Sequence, residues 1–102
     1  MKLTITEEAA SWFKDQVELD EGDTIKFYAK YGGSSPIQSG FSLAFTPFET
    51  PDNPGVKTET SGITFFVEET DMWYFDGHDL TIRYNEDKEE IDYDYEDPEK
   101  DS

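Results

Sequence analysis

The sequence predicts a mainly β domain, a β-rich α+β chain with one N-terminal helix followed by about six or seven short strands. Three observations carry that expectation. From Thr24 onward apolar side chains recur at every second position, the spacing of a half-buried strand. Only one segment, around Ala9, Ala10, Phe13 and Val17, repeats at helical spacing. Gly, Pro and Asp-Gly punctuation cuts the rest into segments of strand length.

The opening Leu3–Ile5 reads as a short strand, and Thr6 as the cap of the helix after it. Glu7 and Glu8 then occupy the first turn, where unpaired N–H groups and the helix dipole favour negative charge. Asp20 to Asp23, with Gly22, is expected to end the helix in a turn. Ile25, Phe27, Ala29 and Tyr31 alternate with Lys26, Tyr28 and Lys30 as one strand. The segment 32–40, with its glycines, serines and Pro36, reads as a loop, and Phe41, Leu43 and Phe45 as the next strand. Val56–Thr60 and Ile63–Val67 read as a hairpin about Ser61-Gly62. Glu68 to Phe75 suggests a short helical turn, closed by Asp76-Gly77. Two last strands carry Leu80, Ile82, Tyr84 and Ile91, Tyr93, Tyr95.

Composition sets the energetics and excludes several functions. The 102 residues carry 25 acids and 8 bases, a net charge of -17. Leu, Ile, Val and Phe supply only 21 residues, near the level at which highly charged chains stay disordered. Sixteen aromatic residues argue for folding, because each buries a large apolar area. The cluster Met72-Trp73-Tyr74-Phe75, with Trp12 and Phe13, is therefore read chiefly as core. Neighbouring residues cannot all face inward, so one of Trp73 and Tyr74 is expected at the surface.

So acidic a chain repels phosphate backbones and anionic lipids, so neither a nucleic-acid partner nor a membrane partner is expected. No apolar run approaches the roughly 18 residues of a spanning helix, and the first residues lack a signal-peptide core. A cytoplasmic protein is the expectation. Cysteine is absent, which removes disulfides, thiol nucleophiles and thiolate-bound metal sites together.

Few residues offer chemistry. Asp92, Asp94 and Glu96 share one face of the last strand and form a candidate site for a hard cation such as calcium or magnesium. The same pattern serves as a solvated acidic face that keeps an edge strand from aggregating. Gly40-Phe41-Ser42-Leu43-Ala44 has the outline of a nucleophile elbow, but it runs into a strand, and His78 is the only histidine. No catalytic residues are expected, and the chain is read as a non-enzyme.

The segments Tyr31-Gly32-Gly33 and Gln38-Ser39-Gly40-Phe41-Ser42 resemble the HesB-like family, the A-type (IscA-like) iron–sulfur carriers. The opening Leu-Thr-Ile-Thr, the Ala-Ala helix, the Gly62-Ile63-Thr64-Phe65-Phe66-Val67 strand and the Asp76-Gly77 turn follow in the family's order. Trp12-Phe13-Lys14, Ile63 to Glu69 and Trp73 to Leu80 are similar to its small cysteine-less bacterial branch, called YneR-like. The resemblance implies a twisted, mixed-sheet pseudobarrel over residues 1–96, with an acidic tail, 97–102, expected to fray. It also implies a link to iron–sulfur cluster biogenesis.

The family's first cluster cysteine falls near Gln38, and the C-terminal pair has no counterpart. A neutral amide cannot replace a thiolate on a cluster, so no cofactor is expected. The resulting expectation is an accessory binding module. A basic or amphipathic protein partner would meet the acidic surface, with Gly32, Gly33, Gln38, Ser39 and Trp73 as candidate contacts. The alternative is a divalent-cation or iron binder built on the three carboxylates.

Overall fold

A computed structural model describes residues 1–97. In order, these form strand β1 (Leu3–Ile5), helix α1 (Glu7–Val17), β2 (Thr24–Ser34), β3 (Ser39–Pro47), β4 (Pro54–Thr60) and β5 (Ile63–Glu68). A 3₁₀ helix (Glu69–Phe75), β6 (Asp79–Asn85) and β7 (Glu90–Glu96) follow. The frayed tail expected for 97–102 lies outside the described residues except for Asp97.

The local signals act as the sequence predicts. Thr6 caps α1, its side-chain oxygen accepting from the Ala9 N–H at 3.2 Å. The helix stops at Val17, earlier than the Asp20–Asp23 turn, because Glu18 adopts the left-handed conformation at φ 56°. Ser61 and Gly62 take φ 53° and 83° between β4 and β5, as a tight turn matched to strand twist requires.

The strands make two mixed sheets, ordered β1-β6-β7 and β3-β2-β5-β4. β1 pairs parallel to β6, and β2 parallel to β5; the other pairings are antiparallel. One core joins both sheets and the helix. Leu3, Ile5, Leu80 and Ile82 come from the first sheet, Ile25, Phe27, Phe65 and Val67 from the second, and Ala9, Ala10 and Phe13 from α1. Phe13 is fully buried and sits edge-on to Phe27 and Phe45, with ring centroids 6.0 and 5.0 Å away. Aromatic rings thus supply much of the burial that scarce aliphatics cannot.

The β2–β3 hairpin departs further from expectation. The segment 32–40 is not an open loop: β2 runs to Ser34 and β3 begins at Ser39, leaving only a four-residue turn. The ladder passes from Tyr31 opposite Phe41 to Ser34 opposite Ser39, so β2 carries one extra residue and bulges. Gly32, Gly33 and Gly40, at φ 112°, 68° and 85°, take backbone conformations that side chains disfavour, which lets the hairpin twist without breaking. The hairpin stays on the core through Leu43, with Ile37 at its tip and Phe41 packed against it. Tyr31, which shares a sheet face with the buried Ile25 and Phe27, is nonetheless 84% exposed.

Candidate functional site

The tip of the β2–β3 hairpin and the 3₁₀ helix come together. The Gln38 side-chain amide donates to the Tyr74 carbonyl at 3.2 Å, tying the turn to the helix. Ser35 and Gln38 close the turn, with the Ser35 N–H donating to the Gln38 carbonyl at 3.0 Å. Of the two neighbouring aromatics, Tyr74 is fully buried and Trp73 is 49% exposed, as their adjacency demands. Trp73 meets Phe41 edge-on at 5.1 Å, and Phe41 meets Tyr31 edge-on at 5.7 Å. Three rings from three elements therefore form a continuous row that ends in solvent. Of the candidate contacts, Trp73 belongs to this row, Gly32 follows Tyr31 in β2, Gly33 lies against Ser42, and Gln38 and Ser39 sit at the hairpin tip.

Sequence reasoning missed Tyr31 and Phe41. A signal for them exists: from Tyr31 to Phe48 the chain holds no acid and no base, although a third of all its residues are charged.

Beside the hairpin lies a cleft of about 280 Å³, lined by Ser34, Ser35, Pro36, Ser42, Leu43, Tyr93 and Tyr95. Its two tyrosines are held neutral. Burial, with a contribution from Tyr74, pushes the Tyr93 hydroxyl up to about 12. Burial, then the hydrogen bond with Tyr74 at 2.9 Å, pushes Tyr95 up as well. Both are neutral hydroxyls at physiological pH, suited to hydrogen bonding and not to base chemistry.

The three carboxylates of β7 do share a face, but each is already engaged by β6. Asn85 donates to Asp92 at 2.9 Å, Arg83 to Asp94 at 2.7 Å and Thr81 to Glu96 at 2.5 Å. Each donor reaches two residues past its direct register partner, so the contacts form a diagonal ladder along the sheet. Side chains at alternate strand positions stand in a row and do not converge on a point. Among the described residues, no three His, Cys, Asp or Glu side chains are gathered where they could hold one metal ion. Ser42 sits inside β3 opposite Lys30, not at a strand-to-helix turn, and His78 Nδ1 bonds the Phe75 carbonyl at 2.9 Å. Neither residue has the setting of a nucleophile and its base.

The architecture has known counterparts. A family model described as iron–sulphur cluster biosynthesis matches residues 1–98. The chain belongs to the iron–sulphur cluster biosynthesis family. The chain is also similar to a Bacillus subtilis protein named pyruvate dehydrogenase inhibitor. The two are 46% identical over 95 residues, covering 93% of this chain and 99% of the relative. An uncharacterised protein of Staphylococcus saprophyticus is 37% identical, covering 91% and 97%. The crystal structure of Escherichia coli SufA, described as involved in biosynthesis of iron–sulfur clusters, superposes with a TM-score of 0.60. That match covers 95% of this chain and 81% of SufA at 20% identity, and so bears on the fold alone. The β-rich, mixed-sheet architecture expected of a HesB-like protein is thus the architecture found.

A cluster, as cargo of this family, needs thiolate donors. The chain has no cysteine, and Gln38 spends its amide on the Tyr74 carbonyl. The residues present do not fit a thiolate-bound cluster. Among the described residues, no helix is long and apolar enough to cross a membrane.

Proposed function

We propose that this member of the iron–sulphur cluster biosynthesis family is a non-enzymatic binding module that inhibits pyruvate dehydrogenase by association, without carrying a cluster. The observation that carries this reading is the 46% identity, over nearly the full length of both chains, with the Bacillus subtilis protein that bears that name. The donor chemistry supports it, since a chain without thiols keeps the family's scaffold and lacks its cluster ligands. The charge of -17 favours a partner with a basic or amphipathic contact region, by steering association and disfavouring acidic surfaces.

Steady-state rates of purified Bacillus subtilis pyruvate dehydrogenase, measured against rising concentrations of this protein, test the reading. Saturable inhibition that weakens as salt is raised is the expected result. Rates that stay flat through a large molar excess of the protein would overturn it.

A further inference from the structure

We propose that the ring row Tyr31–Phe41–Trp73 is the apolar centre of a protein-docking surface whose occupant is a basic amphipathic segment of a partner protein. This rests on the inhibitor reading for the partner's identity, and on the geometry for the surface.

The row combines exposure with fixed placement. Tyr31 and Trp73 are 84% and 49% exposed, yet each is braced edge-on against Phe41. The supporting hairpin is held in turn by the Gln38–Tyr74 hydrogen bond. Rigid, exposed aromatics lose little side-chain entropy on binding, which is why such residues dominate the energetics of interfaces.

Charge complementarity selects the occupant. The hairpin supplies an uncharged stretch from Tyr31 to Phe48 within a chain of net charge -17. Asp71 and Asp76 bracket Trp73, one within the 3₁₀ helix and the other at its end. Lys30 stands on the opposite sheet face from Tyr31, by strand alternation. Exposed rings on a chain of net charge -17, with aspartates two and three residues from Trp73 in sequence, match apolar side chains flanked by Arg or Lys, whose cations also favour aromatic faces. A second copy of this chain is a poor occupant, because two partners of charge -17 repel one another.

The test measures binding of the whole protein to two synthetic peptides, one alternating leucine with arginine and one alternating leucine with glutamate. Inhibition of pyruvate dehydrogenase is followed in parallel. The variants are Tyr31→Ser with Trp73→Ser, Asp71→Asn with Asp76→Asn, and Phe48→Ser. Phe48 is 61% exposed and lies at the other end of the hairpin, its N–H on the Thr24 carbonyl, so it serves as the control. The arginine peptide is expected to bind in preference. The ring variant should lose about tenfold in affinity, the aspartate variant several-fold, and Phe48→Ser nothing. Far-ultraviolet circular dichroism establishes that each variant is folded.

Equal binding of the two peptides, or a ring variant that binds like the wild type, overturns the proposal. So does self-association in sedimentation that the ring variant abolishes, since the face then belongs to a second copy. Failure of the wild type to inhibit the enzyme sinks the inhibitor reading instead, and the peptide comparison still decides the surface.

Discussion

Thr6 holds the start of α1 through one side-chain oxygen. Thr6 is legible, because a cap depends only on the next few residues. Replacing it with Ala removes the bond to the Ala9 N–H, and urea denaturation is expected to show a loss of about 1 kcal/mol. The three carboxylates of β7 were legible as a shared face, whereas their donors on β6 were not. An alternating pattern fixes which way side chains point, but not what lies on the next strand. The Arg83–Asp94 contact of that ladder is solvent-exposed, so it contributes little to stability. Gln38 illustrates the limit, since its partner Tyr74 is 36 residues away. Tyr93 yields a prediction in pH. Its hydroxyl, ordinarily near 10, titrates at about 12 in the folded protein because burial disfavours the phenolate. Above pH 10 the unfolded chain loses this proton while the folded chain keeps it. The associated stability is therefore complete below pH 10 and declines as pH rises toward 12. Urea midpoints across that interval should fall less steeply in Tyr93→Phe than in the wild type.

Elements were legible where their signals are local, and their partnerships were not. The helix, the Ser61-Gly62 hairpin and the turn at Asp76-Gly77 each announce themselves within a few residues. The parallel pairing of β1 with β6 joins Leu3 to Leu80, a choice made by the core and not by any short pattern. The β2–β3 hairpin was misread because glycine is ambiguous: a run of glycines and serines signals a loop, yet at positive φ it also permits a bulged, twisted ladder. Helix α1 reaches the second sheet through aromatic rings. Phe13 contacts the rings of Phe27, Phe45 and Phe65 from one position. Phe13→Ala should cost about 3–5 kcal/mol in equilibrium unfolding, because aromatic neighbours on rigid strands cannot collapse into the space left behind.

Across the whole molecule, a small core is balanced against a large negative charge. Almost half of that charge, -8 of -17, falls in residues 85–102, away from the hairpin in sequence. Aromatics at strand spacing keep the chain folded despite so few aliphatic side chains. The absent cysteines were legible at once and decide the most, because they separate the family's fold from the family's cargo. The uncharged stretch marks Tyr31 and Phe41, but their row with Trp73 was not legible, since its three rings come from three elements brought together only by folding. The central claim is that the scaffold acts by binding a partner and needs no cluster. It is tested most directly by the rate of Bacillus subtilis pyruvate dehydrogenase in the presence of chelator-treated protein, compared with protein incubated anaerobically with iron and sulfide. Equal, saturable inhibition by both preparations is the predicted result. Inhibition by the iron- and sulfide-treated protein alone, or by neither, would contradict the account.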